Sequence, residues 1–175
     1  MTTGIVRPDQ DYNCNWKGPH SANIDDPVTQ PATGDALLCE CDAKDDGKTE
    51  EFGMSTLSNV VAGSISQIIV WIYGIAESAN QADLDIYFEG GYETAQLCTL
   101  PSSNGWRSYT FGGLAGSQAD LDALRVRFTA PPTVGNGDEM FIDVVYAEVT
   151  YTEDAPAEMY SGRGIGRGIT RGVIR

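Results

Sequence analysis

The chain has few of the residues on which most functional classes depend. It holds one histidine, and only 11 lysines and arginines stand against 25 aspartates and glutamates, giving a formal net charge of −14. Nucleic acid is therefore not an expected partner, because Lys and Arg make the contacts to phosphate. The single histidine, His20, follows Pro19 and leaves no positioned acid, base and nucleophile. We predict a protein that is not an enzyme and needs no cofactor.

Long hydrophobic runs are also missing. The longest covers residues 68–73, which is far too short to cross a bilayer of about 30 Å. The first residues lack the basic start, apolar stretch and cleavage site of a secretory signal. We therefore expect no membrane partner and synthesis in the cytoplasm.

Cysteine is too scarce for a disulfide-dense secreted module. Cys39 and Cys41 stand two residues apart, and with Cys14 or Cys98 and His20 they hold the atoms for a zinc site. Structural zinc sites usually pair their ligands across a wider knuckle, so we predict buried thiols and no metal. A disulfide from Cys14 to one of the strand cysteines remains an alternative.

An acidic cluster surrounds Gly47. It consists of Asp42, Asp45, Asp46, Glu50 and Glu51. A calcium loop with Gly47 at its sixth position would place Lys44 third and Gly53 twelfth, and neither supplies a carboxylate. The pattern therefore favours a solvated acidic turn.

Apolar residues recur with the period of strands rather than helices. Eight strands are expected, over residues 36–41, 51–56, 65–75, 82–89, 92–100, 106–112, 124–130 and 140–152. Gly90 and Gly91 are expected to form the turn of a hairpin. The spacing predicts an all-β, antiparallel two-sheet sandwich of jelly-roll type over residues 36–152. Residues 1–35 read as an irregular N-terminal arm, and residues 153–175 as a linker and tail.

The strand over residues 65–75 has two apolar faces. Ile68, Val70 and Ile72 form one, and the other carries Gln67, Ile69, Trp71 and Tyr73. Because a sandwich strand usually shows one face to water, we expect the second face to be covered by the N-terminal arm, by a neighbouring subunit or by a sugar ligand. Trp106, at the start of a later strand, is expected to anchor the end of the sandwich, with glycan stacking as the alternative.

The last sixteen residues carry an arginine at every fourth position. These are Arg163, Arg167, Arg171 and Arg175, and Ile165, Ile169 and Val173 stand between them. All 25 acidic residues precede this tail. Opposite charge on two parts of one chain favours capture of the tail by another acidic surface, including a second copy of the chain.

Several motifs together resemble a group of β-sandwich structural proteins of tailed bacteriophages. They are Arg7-Pro8 with Trp16 downstream, Asp45-Asp46-Gly47, and the runs over residues 61–70, 106–113 and 140–151. The resemblance implies a non-enzymatic virion subunit, such as a capsid decoration, fibre or tail accessory protein. Its implied partners are copies of itself and other virion proteins, held through the terminal extensions. A carbohydrate-binding module that uses Trp71, Tyr73 or Trp106 is the alternative.

Overall fold

The structure, a computed structural model, describes residues 1–16, 39–41, 47–76, 81–130 and 139–153. Within these ranges the chain forms eleven strands and one short helix. The strands are β1 (Thr2–Val6), β2 (Pro8–Cys14), β3 (Cys39–Cys41), β4 (Thr49–Met54), β5 (Ile65–Ala76), β6 (Gln81–Phe88), β7 (Gly91–Tyr92), β8 (Gln96–Thr99), β9 (Gly105–Gly116), β10 (Arg125–Thr129) and β11 (Met140–Tyr151). The helix, α1, covers Gln118–Asp122.

The strands form two antiparallel sheets. The five-stranded sheet has the order β1-β11-β5-β9, with β3 paired to the other half of β11. The six-stranded sheet has the order β2-β4-β10-β6-β7, with β8 paired to the other half of β6. The predicted all-β sandwich of jelly-roll type is confirmed.

The core lies between the two sheets and follows the period-two alternation of the strands. Ile68, Val70 and Ile72 of β5 are fully buried, as predicted. They face a layer from the other sheet that is buried just as completely. This layer includes Phe52 of β4, Leu84, Ile86 and Phe88 of β6, and Val126 and Phe128 of β10.

A bulge in β11 sets which residues face outward. Ile142 pairs with Gly74, whereas Val144 pairs with Tyr73, so Asp143 is the extra residue. The bulge lets both Ile142 and Val145 point into the core. Gly74 is required opposite it, because a Cβ there would lie 2.2 Å from the carbonyl oxygen of Phe141.

The prediction of an irregular arm over residues 1–35 is wrong for its first part. Residues 2–6 form β1 beside β11, and residues 8–14 form β2 beside β4. Both are edge strands whose side chains are mostly exposed, so they lack the apolar alternation that marks a strand in sequence. Residues 17–35 lie outside the described residues.

Two further local predictions shift. The hairpin after β6 turns at Glu89 and Gly90 rather than at Gly90 and Gly91; both have positive φ, 50° and 81°. Such angles at both central residues are those of a type I′ turn. The strand expected over residues 92–100 is divided into β7 and β8, which, with β1 and β2, raises the count from eight to eleven.

The connection expected over residues 112–123 is partly regular. β9 extends to Gly116, and α1 follows it. The Asp120 carboxylate accepts hydrogen bonds from the backbone N–H and the hydroxyl of Ser117, at 2.8 Å and 2.7 Å. These bonds hold the pKa of Asp120 below its ordinary value. The Ser-x-x-Asp pattern is typical of a helix start, and it indicates this helix where the apolar periodicity indicates no regular structure.

The arginine-rich tail lies outside the described residues, and so do the sequence boundaries at residues 35 and 36. Partner binding by Arg163, Arg167, Arg171, Arg175, Ile165, Ile169 and Val173 stays a prediction. Across the described ranges, no helix has the length and apolar character needed to cross a bilayer.

Candidate functional site

Four aromatic side chains come together on the outer side of the five-stranded sheet. Trp71 and Tyr73 lie on β5, Tyr146 on β11 and Trp106 on β9, and we call this group the aromatic face. Tyr146 pairs directly with Trp71, and Tyr73 with Trp106. All four side chains are half-buried, whereas their sequence neighbours on β5, Val70 and Ile72, are fully buried. The aromatic face is thus the side of the sheet turned away from the core.

The rings contact one another as a continuous group. Trp71 and Tyr146 are nearly parallel, with an interplanar angle of 7° and a centroid distance of 6.1 Å. Trp106 meets Tyr146 edge-on at 5.6 Å and lies tilted against Tyr73 at 5.1 Å. These distances fall in the range that aromatic pairs prefer, so the rings hold one another in fixed orientations.

Polar side chains follow the aromatic face along the same strands. Continuing away from the rings, Ile69 pairs with Glu148 and Thr110, and Gln67 pairs with Thr150. Ser108 pairs with Trp71 and is exposed. The arrangement places the aromatic face next to hydroxyl, amide and carboxylate groups.

Two charged side chains, Glu148 and Arg7, lie near the hydroxyl of Tyr146 on the aromatic face. Burial raises the pKa of its hydroxyl and the Glu148 carboxylate raises it further, whereas Arg7 lowers it. At neutral pH the ring therefore stays uncharged between an acid and a base.

The Nε1–H of Trp71 is buried and has no hydrogen-bond partner in the part of the chain that the structure describes. A buried donor without a partner costs about 1–3 kcal/mol. Unsatisfied groups are rare in folded proteins, and they are often explained by a function. This unpaired donor of Trp71 therefore lowers the free energy of unfolding.

The outer side of the six-stranded sheet is built differently. Arg125 and Arg127 of β10 lie among Tyr12, Tyr87 and Tyr92, and we call this group the Tyr-Arg face. The Arg125 guanidinium lies 3.7 Å from the ring centroid of Tyr12 and 4.5 Å from that of Tyr87. That of Arg127 lies 3.4 Å from the ring of Tyr92. Aromatic rings here contact cations rather than one another, apart from the Tyr87–Tyr92 pair.

Carboxylates complete the Tyr-Arg face. Arg127 donates two hydrogen bonds to Asp85, at 2.9 Å and 2.6 Å. Glu51 accepts a 2.7 Å hydrogen bond from the Tyr92 hydroxyl and lies 3.4 Å from Arg125. Burial and this hydrogen bond raise the pKa of Tyr92. The prediction of a solvated acidic turn is wrong for Glu50 and Glu51, which lie buried in β4. Glu50 accepts a hydrogen bond from the backbone N–H of Trp16, and Glu51 is paired with Tyr92 and Arg125. These partners compensate for the loss of water around the two carboxylates. Asp42, Asp45 and Asp46 lie outside the described residues.

The thiols separate into two places. Cys14 donates a hydrogen bond to the carbonyl oxygen of Glu51 at 3.9 Å. Cys14 and Cys39 lie near the carboxylate of the buried Glu50, whereas Cys98 lies near Tyr109. None of the four cysteines forms a disulfide with another described residue. Burial, together with Glu50, raises the pKa of Cys14 to about 12, and burial raises that of Cys98 to about 12. Protonated thiols are poor metal ligands. No group of three or more ligating side chains occurs among the described residues, and His20 lies outside them.

The structure brings Trp106 of β9 into contact with the face of β5 on which the sequence placed Trp71 and Tyr73. Gln67 and Ile69 lie further along the same face of β5. Tyr146 and Glu148 were missed as site residues, although their outward positions follow from the alternation of β11. Pairing across strands, which the sequence does not show, is what joins them to Trp71. Contact of Gln67, Ile69, Trp71 and Tyr73 with a neighbouring subunit stays a prediction.

No protein-family model and no curated protein matches the sequence. Several solved structures are similar in fold. One is the carbohydrate-binding module CBM35 from Cellvibrio japonicus Abf62, with 16% identity, a TM-score of 0.48, and coverage of 88% of this chain and 97% of that one. Another is the CBM36-1 domain of a multidomain xylanase from the hindgut metagenome of Trinervitermes trinervoides, with 9% identity, a TM-score of 0.46, and coverage of 87% and 100%.

A third similar structure is CBM35 from Paenibacillus barcinonensis, with 13% identity, a TM-score of 0.41, and coverage of 88% of this chain and 100% of that one. These structures are carbohydrate-binding modules, not phage proteins. The resemblance to virion subunits is therefore wrong, and with it the hypothesis of a capsid decoration or tail protein whose partners are virion proteins. Glycine turns and aliphatic strands recur across many sandwiches, so those motifs did not discriminate. That the chain is not an enzyme stays a prediction.

Proposed function

We propose that the protein binds neutral glycans through the aromatic face. The observation that supports this proposal is the contact of four rings, those of Trp71, Tyr73, Trp106 and Tyr146, on the outer side of a sheet. Rings gathered on a sheet's outer side offer apolar area that a ligand covers. The proposal is limited to binding, with no catalytic step.

The chemistry of a sugar fits such a surface. The C–H groups on one side of a pyranose ring form an apolar patch that packs on an aromatic ring, and the hydroxyls at its edge donate and accept hydrogen bonds. Trp71 and Tyr146, nearly parallel at 6.1 Å, offer two adjacent ring surfaces. Ser108, Thr110 and Glu148 lie on the strands beside them and supply hydrogen-bonding groups at the edge.

The charge of the protein favours an uncharged ligand. The chain has a formal net charge of −14, which repels polyanions such as sulfated or uronic-acid-rich glycans at long range. Glu148, next to Tyr146 on the aromatic face, adds a local negative charge. Neutral polysaccharide chains meet no such repulsion.

A glycan array that carries neutral and acidic oligosaccharides tests the proposal. We expect binding to neutral glycans, an affinity at least about tenfold lower for Trp106→Ala, and a smaller loss for Trp106→Phe, which keeps a ring. Leu97→Ala is the matched control, because Leu97 is an exposed apolar side chain, 56% accessible, on the other sheet. Absence of binding to every neutral glycan, or equal binding by Trp106→Ala, would reject the proposal.

A further inference from the structure

The loop between β8 and β9 carries an Asn-Gly pair next to the aromatic face. The tip of this loop, residues 102–104, is exposed, and β9 begins at Gly105. Trp106, one of the rings of the aromatic face, follows directly. A chemical change at Asn104 would therefore take place close to the glycan-binding surface proposed above.

Both ends of this loop are anchored to the sandwich. At one end Leu100 is buried, and the Pro101 carbonyl oxygen accepts a 2.9 Å hydrogen bond from the backbone N–H of Ala76. At the other end Gly105 pairs with Gly74 of β5. Any change in the length of the backbone at the exposed tip must therefore be taken up by the first residues of β9.

Close packing favours glycine at position 105. A Cβ on Gly105 would lie 3.2 Å from Cγ of Pro101 and 3.6 Å from the Ser103 carbonyl oxygen. The same lack of a side chain leaves the backbone nitrogen of Gly105 unshielded beside Asn104. Because Gly105 is the first residue of β9, its backbone also lies where a strand opens most readily.

We propose that Asn104 is a site of spontaneous deamidation. The backbone nitrogen of Gly105 attacks Cγ of Asn104, a nitrogen–Cγ bond forms, and the Cγ–Nδ2 bond breaks. Ammonia leaves with the proton of the Gly105 amide. Water then opens the five-membered imide at one carbonyl to give aspartate, or at the other to give isoaspartate, in which the backbone runs through the side chain. Water is the co-reactant, and no atom is oxidised or reduced.

The other asparagines that the structure describes lack this combination. Asn59 is exposed but precedes Val60, whose buried and β-branched side chain crowds the backbone nitrogen. The side-chain amide of Asn13 donates a 2.7 Å hydrogen bond to the Thr49 hydroxyl, and that of Asn15 donates one of 2.6 Å to Asn13. Among the described asparagines, Asn104 is the one that precedes glycine.

The two products differ in their effect on the aromatic face. Aspartate adds a negative charge, whereas isoaspartate also lengthens the backbone just before Trp106. With both ends of the loop anchored, the longer backbone displaces Trp106 from Tyr73 and Tyr146, whose ring centroids lie 5.1 Å and 5.6 Å from its own. We expect a neutral glycan to respond to the displaced ring more than to the charge. This effect on binding rests on the proposed function, and the deamidation itself does not.

Peptide mapping by mass spectrometry of the full chain, kept for several days in mildly alkaline buffer, tests the modification. We expect a gain of about 1 Da in the peptide that contains Asn104, faster than in the peptides that contain Asn59 or Asn13. Isoaspartate methyltransferase should label the same peptide. The second Asn-Gly pair, residues 136–137, lies outside the described residues and falls in a separate peptide.

The matched control is Asn104→Gln, whose longer side chain would have to close a larger ring, and its peptide should keep its mass. No mass gain at Asn104, or a gain no faster than at Asn59, would overturn the proposal.

The effect on binding is measured with the isoaspartate form, separated from fresh protein by ion exchange. We expect its affinity for a neutral glycan to fall about threefold or more, while Asn104→Asp, which carries the charge without the longer backbone, stays within about twofold of the wild type. Equal affinity of the isoaspartate form and fresh protein would overturn the link to the aromatic face. Failure of fresh protein to bind any glycan would instead count against the proposed function, and the mass gain would still decide the deamidation.

Discussion

The aromatic rings on the two outer faces of the sandwich contact different kinds of groups. On the aromatic face, Trp71, Tyr73, Trp106 and Tyr146 pack on one another, and no described residue accepts a hydrogen bond from the Nε1–H of Trp71. On the Tyr-Arg face, the rings of Tyr12, Tyr87 and Tyr92 are covered by Arg125 and Arg127, which buried carboxylates neutralise.

The difference separates a surface whose rings contact mainly one another from a surface whose rings contact paired charges. On the Tyr-Arg face, Arg127 hydrogen-bonds to Asp85, and Arg125 pairs with Glu51. The aromatic face has fewer internal polar partners and offers its rings outward. We therefore expect substitutions on the Tyr-Arg face to lower mainly stability, and substitutions on the aromatic face to lower mainly glycan affinity.

The largest effect is expected at the bulge that orients the aromatic face. Gly74→Ala places a Cβ 2.2 Å from the Phe141 carbonyl oxygen, and backbone must move to relieve the contact. We expect the free energy of unfolding to fall by about 3 kcal/mol in chemical denaturation. Because Tyr73 and Val144 pair next to the bulge, glycan binding at the aromatic face should weaken in the folded variant. A variant as stable as the wild type would show that the bulge is not rigid.

Breaking the Tyr-Arg face should come next. Arg127→Ala leaves the Asp85 carboxylate, 8% exposed, without its two hydrogen bonds from Arg127. Since the Arg127 side chain is itself 25% exposed, we expect a loss of about 2 kcal/mol rather than the full value for a buried pair. Glycan affinity at the aromatic face should stay within about twofold. The exposed Arg107→Ala is the control and should change stability by less than about 0.5 kcal/mol.

A moderate effect is expected from the partner of Trp71. Tyr146→Ala removes the nearly parallel ring at 6.1 Å, and we expect glycan affinity to fall about tenfold, measured by calorimetric titration. Tyr146→Phe keeps the ring and should bind almost as well as the wild type. Equal losses in both variants would assign the effect to the hydroxyl instead of to stacking.

The smallest effect concerns pH. Glu148→Gln removes one of the causes that raise the pKa of Tyr146, so that pKa should move back towards 10, as followed by tyrosine NMR signals.

Burial raises the pKa of Tyr109 to about 12. A raised tyrosine pKa means that its contribution to stability is complete below pH 10 and is lost as pH rises from about 10 to 12. Constant stability across that range in denaturant titrations would contradict this assignment.

Much of the fold was predictable from the sequence, because alternation fixes both the strands and their inward residues. Ile68, Val70 and Ile72, one of the two faces predicted for β5, are buried in the core. β1 and β2 were missed, since edge strands with exposed side chains carry no alternation to detect.

The site was only half predictable. The apolar outer side of β5 indicated that something covers Trp71 and Tyr73, but the partners Tyr146 and Trp106 come from strands far away in sequence. Their pairing depends on register and on the Asp143 bulge, which no local pattern reveals. The Tyr-Arg face was hidden for the same reason, because Tyr12, Tyr87 and Arg125 lie on three different strands.

Titration of a neutral oligosaccharide found on the array into the Trp71→Ala/Trp106→Ala double variant tests the central claim most directly. We predict that affinity falls by about 100-fold or more, while the circular dichroism spectrum stays that of the wild type and Arg127→Ala keeps its affinity. An affinity unchanged in the folded double variant would contradict the assignment of glycan binding to the aromatic face.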